Sequence, residues 1–177
     1  MLRAASRVLA TDRVQDFNAL VRRDHDDLDQ ALVAMVATAT RPDELVELLD
    51  VFRLALAVHV VAEAKVLARL LAGGDVVPAL RAIVEHGCDE HLRQQAAADA
   101  LVLVTPGSEE WYAEALELRI AVLDHATRAE LLRWTLRDHL SAERCRRLSA
   151  DYATERMRVL ARTSPQALAR EAMRVAL

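Results

Sequence analysis

The chain has 177 residues, of which 53% are apolar, 28% charged and 3% aromatic, with four Gly and four Pro. This length suits one domain, and the composition excludes a disordered, collagen-like or low-complexity protein. The formal net charge is −4 and the basic residues are spread along the chain, so we expect no nucleic-acid partner. The longest apolar run is far shorter than the roughly 20 residues of a membrane span, so we expect no membrane partner either.

The cysteines and the N-terminal segment bear on the compartment. Cys88 and Cys145 are the two thiols, and the first residues, MLRAASRVLATDR, lack the apolar core of a signal peptide. A disulfide scaffold and secretion are therefore disfavoured, and we expect a cytoplasmic protein. Cys88 is expected to be a small buried hydrophobe, with a redox role for its thiol as the alternative.

Taken in chain order, the sequence predicts five helices. Ala and Leu dominate and strand-type alternation is nearly absent, which predicts an all-α fold. Pro, Ser and acidic residues mark helix starts, since they satisfy or dispense with the unpaired N–H groups of a first turn. The predicted helices cover residues 12–39, 42–72, 76–104, 109–139 and 141–162. Four long helices with short connections predict an antiparallel up-down-up-down bundle.

The C-terminal part is expected to be an addition to that bundle. We predict that residues 1–162 form the four-helix bundle with its fifth helix, and that residues 163–177 form a helical tail. The fifth helix and the tail are expected to cap or flank the bundle, or to make a homodimer contact. The few large aromatic residues are expected to be packing anchors. These are Trp111, Tyr112, Trp134 and Tyr152.

Each of the four long helices carries one histidine within its apolar stripe. The histidines are His25, His59, His91 and His125, and Glu63 follows His59 by one turn on the same face. A buried imidazole or carboxylate needs partners, because its desolvation otherwise costs free energy. One such histidine alone would be interpreted as a core residue with satisfied hydrogen bonds. Four of them together with Glu63 favour a shared site.

The four histidines are also predicted to lie at one level of the bundle. His59 follows Pro42 by 17 residues, and His25 lies at a similar distance before the same turn. At 1.5 Å per residue both are about 20–26 Å from that turn, and the same spacing recurs at the next two turns. We therefore expect the four histidines and Glu63 to converge in one layer, which a metal site explains better than four coincidences.

The segments around these residues resemble the hemerythrin family, in particular bacterial hemerythrin-like proteins with the His-His-Glu cation-binding domain. The matching segments are RDHDDL at 23–28, HVVAE at 59–63, DEHL at 89–92 and LDHATRAELL at 123–132. The resemblance covers about residues 15–160. It implies a four-helix bundle that holds two non-heme iron ions, bridged by carboxylates and by an oxo or hydroxo group.

The resemblance also implies roles for individual residues. His25, His59, His91 and His125 would bind iron, Glu63 would be one bridging carboxylate and Glu130 the second. The common bacterial form has its second carboxylate four residues after the histidine, where this chain has Ala129, whereas oxygen carriers have it five residues after, at the position of Glu130. On the third helix the oxygen carriers have a further histidine where this chain has Gly87. His86, one residue off the stripe, is a candidate ligand whose alternative is a solvated surface histidine.

By resemblance, the expected function is reversible binding or sensing of O₂, NO or peroxide without turnover of an organic substrate. The sequence lacks the Glu-x-x-His pairs of the ferritin-like di-iron class, which favours this arrangement. One alternative is an enzyme that decomposes hydrogen peroxide, or oxidises iron, at the same centre. A second alternative is a metal-free or zinc-bound interaction domain, which a solvent-facing Glu130 would favour.

Overall fold

The computed structural model describes residues 16–37, 41–74 and 76–162, and within these ranges it consists of five helices joined by short connections. The helices are α1 (Phe17–Ala37), α2 (Pro42–Ala72), α3 (Pro78–Leu103), α4 (Glu109–His139) and α5 (Ala142–Leu160). The predicted all-α class is confirmed. The predicted tail at 163–177 and the predicted first turn at 12–15 lie outside the described residues. None of the helices in these ranges is long and apolar enough to cross a membrane.

The helices begin at residues that the sequence marks as starts. The Ser108 side chain accepts a hydrogen bond from the backbone N–H of Trp111 at 3.1 Å, and Ser141 caps α5 in the same way. Pro42 and Pro78 are the first residues of α2 and α3, where an N–H has no partner within the helix. Because a proline suits only this first turn, α3 begins two residues later than predicted.

The four long helices pack as a ring, with α5 on its outside. Helix α1 contacts α2 and α4, α3 contacts the same two helices, and α5 lies against α2 and α1. Two apolar clusters form the core, and the later part of α1 shares one of them with the earlier parts of α2 and α4. The earlier part of α1 shares the other cluster with the later parts of α2 and α4. Each cluster therefore combines opposite ends of helices that follow one another in the chain.

A polar layer separates the two apolar clusters halfway along the bundle. His25, His59, His91 and His125 lie in this layer, each no more than 4% exposed. Glu63 lies in the same layer and is 2% exposed. The apolar clusters on either side shield these polar side chains from the two ends of the bundle.

Substitution by alanine is expected to change the free energy of unfolding in opposite directions at two glycines. Gly87 lies within α3, and a Cβ added there would be 3.9 Å from Cε1 of His125, an ordinary contact. Gly74 follows α2 at a φ of 80°, which disfavours a side chain. In metal-free protein we expect Gly87→Ala to raise the free energy of unfolding by about 1 kcal/mol and Gly74→Ala to lower it by about 1 kcal/mol, as measured by urea denaturation. A less stable Gly87→Ala variant would contradict this account of α3.

Candidate metal centre

Five side chains from four helices converge in the polar layer. They are His25 of α1, His59 and Glu63 of α2, His91 of α3 and His125 of α4, and we call them the His/Glu cluster. The Nε2 atoms of His25 and His59 are 3.2 Å apart, and those of His91 and His125 are 3.0 Å apart. The cluster therefore contains two imidazole pairs, one between α1 and α2 and the other between α3 and α4.

Glu63 connects the two imidazole pairs. Its Oε2 atom lies 3.1 Å from Nε2 of His59, 3.7 Å from Nε2 of His91 and 3.8 Å from Nε2 of His125. This oxygen is buried and has no hydrogen-bond partner among the residues that the structure describes. Burial would raise the pKa of Glu63, but the surrounding imidazoles outweigh it and lower the pKa, so the carboxylate is ionised. An ionised, buried and unpaired oxygen is suited to bind a cation.

The outer nitrogen of His59 is fixed by a chain of hydrogen bonds that crosses three helices. The hydroxyl of Tyr152 on α5 donates to Oδ2 of Asp24 on α1 at 2.6 Å, and Arg156 pairs with the other oxygen of Asp24 at 2.8 Å. Because the hydroxyl proton is used in this bond, the Tyr152 oxygen accepts from Nδ1–H of His59 at 3.0 Å. The tautomer that remains leaves the lone pair of His59 on Nε2, toward the centre of the cluster.

His125 is fixed in the same manner by a carboxylate. Its Nδ1 lies 3.0 Å from Oε2 of Glu90, and Arg128 pairs with the other oxygen of Glu90. Burial would raise the pKa of Glu90, but His125 and Arg128 outweigh it and lower the pKa. An ionised carboxylate only accepts, so Nδ1 of His125 donates and Nε2 is the nitrogen that faces the cluster.

The protonation of the imidazoles depends on their surroundings. Burial lowers the pKa of His25 and of His91 well below the ordinary value, so both are neutral at pH 7 and can offer lone pairs. Burial also opposes the charged form of His125, but the carboxylates of Glu63 and Glu90 outweigh this and raise its pKa to about 9. Without a metal, one proton on His125 therefore partly balances the charge of Glu63.

The distances in the cluster match those between ligands of a metal ion. The donor atoms of His25, His59, Glu63 and His125 all lie within 4.8 Å of one another. Ligands that share an ion at about 2.1 Å lie roughly 3.0–3.5 Å apart in tetrahedral or octahedral geometry. The two imidazole pairs and the His59–Glu63 contact fall in this range. These residues can hold a metal ion. Without a metal, the two facing lone pairs of an imidazole pair would repel each other unless a proton lay between them.

Two residues predicted as ligands lie outside the cluster. The carboxylate of Glu130 is 40% exposed and pairs with Arg133, so the structure does not bring it into the centre as a second bridge. A residue five positions after His125 is rotated by about 140° around the helix axis, which directs it away from the layer. The side chain of His86 is 50% exposed, and its Nε2 lies 3.4 Å from Oε1 of the buried Glu90. This exposed position agrees with the alternative prediction of a solvated surface histidine.

Sequence reasoning missed the residues that hold the histidines in place. In the sequence, Glu90 belongs to the DEHL segment that resembles the family, and Tyr152 is predicted to be a packing anchor. Tyr152 is fully buried and does pack edge-on against Phe17, but its hydroxyl also reaches His59. Glu90 and Asp24 each precede a predicted ligand histidine directly, and this was the available signal for both. No comparable signal in the sequence marks Tyr152.

Cys88 has the properties of a structural thiol. It is half-buried in α3, one turn before His91. Burial, together with the charges of Glu63 and Asp89, raises the pKa of the Cys88 thiol. Because the thiolate is the reactive form, this environment disfavours the redox role.

Comparison of the chain with family models, with curated proteins and with solved structures finds no match. The likeness to the hemerythrin family therefore rests on the four sequence segments. The geometry of the cluster stands independently of that likeness, because it follows from the positions of the side chains.

Removing the Tyr152 hydroxyl tests whether its hydrogen bond with Nδ1 orients the ring of His59. In Tyr152→Phe, Nδ1–H of His59 loses its acceptor, and Asp24 loses one donor. We expect metal affinity to fall about 10- to 100-fold and the free energy of unfolding to fall by about 1–3 kcal/mol. Equilibrium dialysis and urea denaturation measure these two changes.

Tyr112→Phe is the matched control. Tyr112 packs against Trp111, away from the cluster, with ring centroids 5.3 Å apart. Its variant should bind metal as the wild type does. Equal metal affinity in the two variants would show that the Tyr152 hydroxyl does not position His59.

Proposed function

We propose that the His/Glu cluster binds two iron ions and that this centre binds or senses O₂, NO or peroxide. The observation that carries the proposal is the arrangement of two Nε2 pairs around one shared carboxylate. His25 and His59 offer two nitrogens to one ion, and His91 and His125 offer two to the other. Glu63 lies within 4 Å of donors from both pairs, where a bridging carboxylate is needed.

The choice of iron depends on the ligands and on the family resemblance. Imidazole with carboxylate suits iron, manganese or zinc, so the ligand set alone does not choose among them. The order and spacing of the four motifs resemble the hemerythrin family, which supports iron. When bound, a reduced iron pair supplies the electrons that O₂ or peroxide accepts.

The protein would limit the access of water along the bundle axis and hold the ligands of that centre rigidly. Leu28, Leu56, Val122 and Leu132 are buried next to the polar layer and limit the access of water. The bonds from Tyr152 and Glu90 keep two of the imidazoles in one orientation. Such exclusion of water favours reversible binding over loss of the ligand by protonation.

A second candidate is an enzyme that decomposes hydrogen peroxide or oxidises iron at the same cluster. The number of protein ligands favours this candidate, because the five donors of the His/Glu cluster leave several coordination positions on two ions. These positions would be open to exchangeable small molecules.

A third candidate is a zinc-bound or metal-free interaction domain. The placement of Glu130 favours it, since this carboxylate faces solvent and pairs with Arg133. Its metal-free form is weakened by the unpaired Glu63 oxygen and by the close Nε2 contact of His25 with His59, which the proton on His125 balances only in part.

The test is an optical spectrum of the iron-loaded, anaerobically reduced protein before and after air is added. A visible absorption band that appears with air and disappears when oxygen is removed is the expected result. Oxidation without a reversible band, followed by release of O₂ from added peroxide, would favour the enzyme. A protein that takes up zinc in preference to iron and shows no response to air would overturn the proposal.

A further inference from the structure

An apolar pocket of about 270 Å³ lies beside the His/Glu cluster, between α3 and α4 and against α2. Its rim is formed by exposed residues, namely Ala82, His86, Arg128 and Leu131. Its floor is formed by buried residues, which include Glu63, His91, His125 and Leu132. The pocket therefore extends from the surface of the bundle to the side of the proposed metal centre.

The pocket exists because small residues face it from three helices. Ala64 of α2, Gly87 of α3 and Ala129 of α4 all line it. Gly87 lies one turn before His91, and Ala129 lies one turn after His125. Because α3 and α4 are adjacent and the two histidines touch, these small residues fall at the same level and leave room between the helices.

Gly87 is required neither by the backbone nor by close packing. The glycines with positive φ in the described ranges are Gly74 and Gly107, and a Cβ at Gly87 would make one ordinary contact, with His125. A glycine within a helix costs about 1 kcal/mol relative to alanine. What this glycine provides in return is open space next to the cluster.

We propose that this pocket binds a small, neutral, apolar organic molecule of one-ring size. An engineered cavity of about 150 Å³ lined by apolar side chains takes up benzene, so the volume here is sufficient. The lining is mainly apolar, and the cationic group at the rim, Arg128, is already paired with Glu90 and Asp124. An anionic ligand would therefore find no free partner in that arginine, and the Glu63 carboxylate on the floor is the proposed ligand of the metal. The position of the molecule beside a metal rests on the proposed function, whereas the pocket itself does not.

Titration of the full-length, metal-free protein with toluene tests the proposal. The readout is the backbone amide spectrum of ¹⁵N-labelled protein. We expect saturable shifts at Gly87, Cys88 and Ala129, and at ten times the dissociation constant a rise in melting temperature of about 3–6 °C. The absence of saturable shifts at these residues, or shifts confined to another surface, would overturn the proposal.

Variants at Gly87 separate binding in the pocket from binding elsewhere. Gly87→Leu fills the pocket and should abolish the toluene shifts, whereas Gly87→Ala should keep them. Ala96→Leu, at an exposed position on the same helix, adds a leucine away from the pocket and should also keep them. Unchanged toluene shifts in a folded Gly87→Leu variant would overturn the assignment.

Iron uptake is measured on separate portions of the same protein after anaerobic loading with Fe(II), so that the two proposals fail separately. Toluene binding without iron uptake contradicts the proposed function and leaves the pocket in place. Iron uptake without toluene binding contradicts the pocket and leaves the proposed function in place.

Discussion

Replacing Glu63 by glutamine is expected to abolish iron binding while the protein stays folded. Among the described residues, Glu63 is the carboxylate that lies between the four imidazoles. Its Oε2 atom is 3.1 Å from Nε2 of His59 and has no hydrogen-bond partner within the described ranges. The neutral amide keeps the shape of the side chain but removes the charge that holds a cation. We expect iron affinity to fall by more than about 100-fold, beyond the usual effect of changing an outer residue. Elemental analysis after anaerobic loading measures the loss.

The stability of the metal-free variant separates a lost ligand from a lost fold. In the absence of metal, the surrounding imidazoles lower the pKa of Glu63, so its ionised form stabilises the fold. Glu63→Gln should therefore lower the free energy of unfolding by about 1–3 kcal/mol, which leaves a folded protein. Glu130→Gln is the matched control, since Glu130 lies at the surface with Arg133. Iron loss in Glu130→Gln equal to that in Glu63→Gln would restore Glu130 as a ligand.

Replacing Ala129 by glutamate is expected to strengthen binding of the second iron ion. Ala129 follows His125 by four residues, just as Glu63 follows His59 by four. A glutamate at 129 therefore points toward the layer, and the pocket that Ala129 lines has room for it. We expect the affinity for the more weakly held ion to rise about tenfold or more, because a second carboxylate neutralises part of its charge. Anaerobic titration with Fe(II) gives the two affinities.

Ala113→Glu provides the comparison for that variant. Ala113 is exposed on α4 and lies twelve residues before His125. A glutamate there adds the same charge to the same helix, about 18 Å along the axis from the imidazole pair of α3 and α4. Equal strengthening in both variants would show that the gain comes from overall charge, and would contradict the assigned role of position 129.

The convergence of the cluster could be predicted because it follows from local periodicity. His25, His59, His91 and His125 each occupy a core-facing position, and the helix rise places them at one level. Glu63 is one turn from His59, so its direction is set by the same helix. Each of these inferences needs only the spacing within a helix and the length of the connections, both of which the sequence contains.

The placement of Glu130 could not be inferred with the same certainty. Its spacing from His125 allowed a long side chain to reach back toward the layer, and that expectation came from the resemblance. In the structure Arg133, one turn later, pairs with the carboxylate at the surface. A local ion pair that keeps the side chain in solvent avoids the cost of burying a second charge.

The residues that hydrogen-bond the outer nitrogen of His59 could not be predicted, for a different reason. Tyr152 and His59 are 93 positions apart, and Tyr152 and Asp24 are 128 apart. Helical periodicity within one segment says nothing about which side chains of α5 meet those of α1 and α2. These contacts depend on how α5 packs across the bundle, which becomes apparent only when the helices are assembled.

The number of iron ions bound per chain tests the central claim most directly. Metal-free protein is titrated anaerobically with Fe(II), free iron is removed, and the iron that remains is counted by elemental analysis against protein concentration. The account predicts about two ions per chain, consistent with two imidazole pairs that share Glu63. A chain that retains no iron, or that retains a single iron ion, would contradict the account.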